Sequence, residues 1–127
     1  LHAPGLLDSS YQMMGRPGRY FAGQMTGVEG YVESASSGLV AGISLARQML
    51  GLPPVDFTDL TAIGSLAHHV AHATGDFQPM NANFGLIAPL DAHIRNKQER
   101  YGAIAARALN VIEALRSNPL CEDFYAG

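Results

Sequence analysis

Three glycines at positions 23, 27 and 30 separate an aromatic run from a long stretch of small residues, and no other feature limits the fold of this chain as much. Ahead of them, Arg19-Tyr20-Phe21-Ala22 follows the turn dipeptide Pro17-Gly18 and reads as a short buried strand entering from a tight turn. Behind them the pattern predicts a helix beginning at Thr26. There Thr26 and Glu29 have the spacing of a capping box, which would leave the Gly27 and Val28 amides free. The glycines allow positive φ and a close approach of backbone to ligand, and the helix macrodipole favours negative charge at that end. A phosphate suits such a place, as does the negative N1/C2 carbonyl edge of a reduced flavin. The same three glycines also fit a loop built only for close helix-to-sheet packing.

The helix expected from Thr26 to about Leu50 carries Tyr31, Ala35, Leu39, Ile43, Ala46 and Leu50 at spacings of three and four, which predicts that this stripe is buried. Gly38 and Gly42 lie beside it, and two helical glycines suggest that a sheet or a cofactor presses on that side. Gly51-Leu52-Pro53-Pro54 stops the helix. Thr58 is the expected cap of a second helix, about 58–74, with Leu60, Ile63, Leu66 or Ala67, and Val70 on its core face. His68 and His72 have the i, i+4 spacing of metal ligands but lack an HExxH glutamate and a third ligand, so no metal site is assigned.

Residues 75–90 form a connection rich in proline and asparagine, of a length that is usually functional. Asn81 and Asn83 offer side-chain amides, and Phe77 and Phe84 flat faces, to a ring with an amide-like edge such as a pterin; the same residues also serve as turn and core residues elsewhere. Asp91 is the expected cap of the last helix, about 91–117, with Ile94, Tyr101, Ile104, Ala108, Val111 or Ile112, and Leu115 as its inner stripe. Arg95, Lys97 and Arg100 cluster near its start, suited to a phosphate or to a solvated face. In the first segment, residues 1–18, Tyr11, Met13 and Met14 are expected to pack, within a loop holding at most one brief strand.

With 127 residues, 47% of them hydrophobic, the chain is sized for one modest core. A net charge of −3 argues against gripping nucleic acid by bulk electrostatics, so any RNA contact is expected to be local. One cysteine, Cys121, excludes an internal disulfide and fits a reducing cytoplasm. Apolar runs are far shorter than the roughly 20 residues a membrane helix needs, so no membrane partner is expected. Beginning at Leu1, the chain reads as a piece of a longer protein.

Tyr20-Phe21-Ala22-Gly23-Gln24-Met25-Thr26-Gly27-Val28-Glu29-Gly30-Tyr31-Val32-Glu33-Ser34-Ala35, followed by Ser37-Gly38-Leu39 and Ala41-Gly42, closely resembles the TrmFO family. Those proteins are FAD- and methylenetetrahydrofolate-dependent tRNA (uracil-5-)-methyltransferases. Phe77-Gln78-Pro79-Met80-Asn81-Ala82-Asn83-Phe84-Gly85-Leu86 and the basic helix after it are similar too. The likeness runs from about Leu7 to the end of the last helix, which is only the C-terminal part of the family's chain. It implies an α/β parent with an FAD/NAD(P)-binding Rossmann-like domain, of which these residues form a mostly helical piece with one or two short strands. Residues Gly23, Gln24, Met25, Thr26, Gly27, Val28, Glu29 and Gly30 would bind the cofactor. Gln24 stands where many related flavoproteins carry an acid, and an amide there both donates to and accepts from a ribityl hydroxyl. Asn81, Asn83 and Phe84 would bind the folate substrate.

The resemblance further implies tRNA, FAD and the remainder of the parent chain as partners, NAD(P)H as electron source and a cytoplasmic location. No GxGxxG occurs, so the pyrophosphate half of an FAD site is missing, and no residue is assigned a catalytic role. These residues alone are therefore expected to be inactive. Two alternatives stand beside this reading. One is the sister flavoprotein family that modifies the tRNA wobble uridine, from whose Thr-Thr version of the loop Gly27-Val28-Glu29 departs; the other is a free-standing helical interaction module.

Overall fold

The computed structural model describes residues 4–72 and 86–117. Its first layer is a meander rather than a sheet. Two isolated antiparallel bridges, Leu7 to Met13 and Gln12 to Tyr20, stand where one or two short strands were expected. The reason lies in the turns. Gly5, Gly15 and Gly18 take positive φ, and Tyr11 itself sits at φ 63°, so no run of extended residues is long enough to build a ladder. Backbone bonds close the meander locally, with the Met13 amide donating to Arg19 (2.7 Å) and the Phe21 amide to Tyr11 (3.0 Å).

Three helices follow: α1 (Tyr31–Met49), α2 (Ala62–His72) and α3 (Lys97–Arg116). The expectation of a mostly helical piece holds. Helix α1 stops as expected at its glycine: Gly51 is left-handed (φ 71°), its amide donates to Gln48 and that of Leu52 to Arg47. Arg47 is 2% exposed at this end, and its Nε donates to the Pro53 carbonyl (2.7 Å). A buried cation at a helix C-terminus is favoured by the macrodipole.

The core lies where the meander covers α1 and α2. Leu7, Tyr11, Val28, Val40, Ala41, Leu66, Ala67 and Val70 are buried together, with Phe21, Phe57, Ile63 and Leu86 packed against them. Leu66, Ala67 and Val70 are on the face of α2 that periodicity assigned to the core. Tyr11 packs as expected, as does Met13, while Met14 is half exposed. The Tyr11 hydroxyl is buried without a hydrogen-bond partner among the described residues, and burial drives its pKa well above the ordinary phenol range.

The inner face of α1 is a correction. Tyr31 (98% exposed), Leu39 and Leu50 point to solvent, and the buried positions are Ser37, Val40, Ala41, Ser44 and Arg47. Both stripes have helical spacing; the small one wins because α2 and the meander approach closely. No described atom lies within 4 Å of the Cβ position of Gly38 or Gly42, so none of the described residues presses there. The starts of α2 and α3 move as well. Thr61, not Thr58, caps α2, its Oγ1 accepting the Gly64 amide (2.9 Å) and donating to the Phe57 carbonyl (2.8 Å). Asn96, not Asp91, caps α3, accepting the Glu99 amide (3.0 Å). On α3 Ile104 is buried, while Ile112 is exposed and Ile94 precedes the helix. Among the described residues no helix is long and apolar enough to cross a membrane.

Candidate functional site

The glycine loop is built on all three of its glycines. Gly23 (φ 80°), Gly27 (φ 98°) and Gly30 (φ 100°) occupy conformations that side chains rarely adopt. Between the first two, Gln24–Thr26 form a single 3-10 turn, in which Thr26 donates to the Gly23 carbonyl through both its amide (3.0 Å) and its hydroxyl (2.7 Å). The expected capping box is therefore absent. Thr26 belongs to the turn, and α1 begins five residues later, because two further positive-φ glycines cannot sit inside a right-handed helix. The Gly27 amide, expected to be free, donates to Gln24 (3.0 Å).

What the loop delivers instead is the start of α1 itself. Its N-cap is Gly30, which brings no side-chain hydrogen bond to the first-turn amides. The macrodipole makes that terminus electropositive, and Glu33 stands in its first turn. The loop is tied to it from behind: the Gly23 amide donates to Ser37 Oγ (2.7 Å), which donates in turn to the Ser34 carbonyl (2.7 Å). Ser37 is fully buried. It was not singled out from the sequence, although a serine one turn beyond Ser34 on the loop side of a helix is the available signal.

The predicted cofactor residues divide by exposure. Thr26, Gly27 and Val28 are buried and form the loop's internal support; Gln24, Met25 and Glu29 are exposed, and Gly23 and Gly30 lie between. No described atom lies within 4 Å of the Cβ position of Gly23, so the backbone there is open on that side. Asn81, Asn83 and Phe84, with Phe77, Gly75 and Cys121, lie outside the described residues. His68 and His72 do not converge on a shared ligand position: His68 Nε2 pairs with Asp56 Oδ1 (3.1 Å), and His72 Nδ1 meets the His68 carbonyl (3.1 Å). Among the described residues no group of three potential metal ligands occurs. Arg95 and Lys97 are exposed, and Lys97 and Arg100 both lie 5.5 Å from the Tyr101 ring.

The family described as glucose inhibited division protein A matches residues 1–53. A protein of Staphylococcus aureus strain Newman, named methylenetetrahydrofolate–tRNA-(uracil-5-)-methyltransferase TrmFO, is 53% identical over 115 residues, which are 89% of this chain and 26% of that protein. Proteins of the same name from strains Mu3 and N315 match to the same extent. The chain spans about a quarter of the length of these relatives. The family resemblance carried by the glycine loop thus holds over most of the chain.

Proposed function

We propose that this chain, with its sequence likeness to TrmFO, is part of a cytoplasmic flavoprotein that methylates C5 of a T-loop uridine in tRNA. In this reading methylenetetrahydrofolate is the one-carbon donor and NAD(P)H the source of electrons. Bound FAD would supply the reducing equivalents. The residues present fit that group at one end. Gly23, Gly27 and Gly30 hold the backbone at positive φ, the Cβ position of Gly23 is open, and Gly30 gives the first turn of α1 no side-chain cap. That uncapped terminus is the observation that carries the reading, because it suits the negative edge of a reduced flavin. The exposed Gln24 is suited to a ribityl hydroxyl. Thr26 and Ser37 keep the loop in register with the helix.

Asn81, Asn83 and Phe84 belong in this proposal to the folate step, on their chemistry and on the family resemblance. Asn81→Ala in the flavoprotein is expected to keep its FAD while requiring about tenfold more methylenetetrahydrofolate for half-maximal methylation. Loss of flavin in that variant would overturn the assignment. The proposal as a whole is tested by Gly27→Val in the full-length flavoprotein. A β-branched residue at φ 98° cannot keep the loop, so FAD content on purification is expected to fall sharply. Wild-type flavin occupancy at unchanged thermal stability would mean that the loop is a packing device only.

A further inference from the structure

The start of α3 gathers positive charge that the fold itself does not use. Arg95, Lys97 and Arg100 stand within six residues, so three of the eight Lys and Arg side chains of a chain with net charge −3 are clustered there. The other cations of α3 are occupied: Arg107 holds the Pro89 and Ala88 carbonyls, and Arg116 lies 3.6 Å from Glu113. Among the described residues, none of Arg95, Lys97 and Arg100 has a carboxylate partner. Glu99 is the acid of the first turn, yet at about 100° per residue it stands on the other side of the helix from Lys97 and Tyr101.

Helix stability does not explain the cluster. The positive pole of a helix disfavours cations, and the cap that α3 needs comes from Asn96, which accepts the Glu99 amide. Nor are the charges loosely scattered. Lys97 Nζ and the Arg100 guanidinium each lie 5.5 Å from the centre of the Tyr101 ring. Tyr101 is half-buried, and Ile104, three residues further on, is buried, so the ring is set into the body of the protein and gathers both cations beside it. Arg95 and Lys97 are exposed. Like charges held against one ring repel each other, and an external polyanion relieves that repulsion.

We propose that this corner of α3 docks the phosphate backbone of the substrate tRNA, with Arg95, Lys97 and Arg100 each meeting a phosphate. The proposal rests on the tRNA reading given above. A chain of negative net charge cannot hold RNA by its overall field, so its phosphate contacts have to come from a local patch of this kind. A nucleic-acid backbone suits the cluster better than a small anion does, because it offers a separate phosphate to each of three cations. Such contacts fix the register of the RNA on the protein and carry no sequence information themselves. The three residues are therefore positioning residues, distinct from the cofactor loop at the start of α1.

The test is the affinity of the full-length flavoprotein for an unmodified tRNA transcript, measured from about 50 to about 200 mM salt. Arg95→Gln and Lys97→Gln are each expected to weaken binding about threefold to tenfold and to lower the slope of log affinity against log salt by about 1. Melting temperature, FAD content and the methylenetetrahydrofolate requirement are expected to stay as they are. Lys97→Arg should bind as the wild type does, and Arg116→Gln, at the far end of α3, should change nothing. The proposal is overturned if the Arg95 and Lys97 variants keep wild-type affinity and slope, if Arg116→Gln weakens binding equally, or if binding falls only in step with the melting temperature. A raised folate requirement at unchanged tRNA affinity would overturn it too, and would give the cluster to the acidic end of the folate. Wild-type protein that holds FAD but no tRNA would sink the tRNA reading and this surface with it, whereas wild-type binding matched by the variants sinks this surface alone. Should Lys97→Gln unfold, Arg95→Gln, ahead of the helix, decides.

Discussion

Gly64 shows how tightly one residue can be constrained. A Cβ there would lie 2.7 Å from the Phe57 carbonyl carbon and would collide with the Thr58 carbonyl oxygen, both of them backbone. Because neither atom can swing aside, Gly64→Ala is expected to cost about 3 kcal/mol or more in urea unfolding. The neighbouring Thr58 sits at φ 62°, a strained value for a β-branched residue, held by its amide on Asp56 Oδ1 (2.8 Å). That aspartate titrates below its usual range. Burial works against the shift, but the His68 hydrogen bond, the Thr58 amide and the charge of His68 outweigh it. A depressed carboxyl pKa stabilises the fold above the unfolded value, and the contribution is lost as pH falls through the folded one. Carboxyl NMR should therefore find Asp56 titrating low, and His68→Ala should move it back up. Ser37→Ala removes the acceptor of the Gly23 amide and is expected to cost about 1 to 3 kcal/mol. An unchanged unfolding midpoint would show that the loop does not depend on this bond.

At the scale of elements, the sequence predicted the three helices but misplaced each of their starts, for one shared reason. Thr26, Thr58 and Asp91 are all good caps by composition, and so are Thr61 and Asn96 nearby; only the geometry of the preceding turn selects among them. Gly27 and Gly30 were read as a ligand feature, yet their positive φ is also what delays α1. The misread face of α1 has a different origin. Hydrophobic periodicity finds the more apolar stripe, whereas Ser37, Ala41 and Ser44 are buried because small side chains let backbones approach. Among the described residues, helix α3 is held by its N-cap, by the buried Ile104 and by Arg107, which donates to the Pro89 carbonyl (3.0 Å) and to that of Ala88. Asn96→Ala is expected to destabilise α3 by about 1 kcal/mol, seen as faster hydrogen exchange in its first turn. Equal exchange in both proteins would mean that tertiary contacts, not the cap, hold that end.

For the whole molecule, the proposed function asks the glycine loop and its helix to supply only one half of an FAD site. Charge near one helix terminus gains only about 0.3 to 1 kcal/mol, so the 127-residue chain alone is not expected to hold FAD with submicromolar affinity. Flavin fluorescence titration checks this, and tight binding would contradict the proposed division of the site. Tyr31, Val32 and Met49, 98%, 79% and 80% exposed, mark the outward face of α1. If the chain works inside a protein of the relatives' length, peroxide should oxidise Met49 more slowly in that protein than in the chain by itself. The hydrogen bond from Gly23 to Ser37 closes a ring of backbone between residues fourteen positions apart. Adding one residue to the helical part of that ring, between residues 31 and 36, turns Ser37 by about 100° around the helix relative to the loop and removes it from the amide it serves. Substitutions at the exposed Tyr31 and Val32 should therefore be tolerated, whereas an insertion scan should find a loss of stability confined to one-residue insertions between residues 31 and 36.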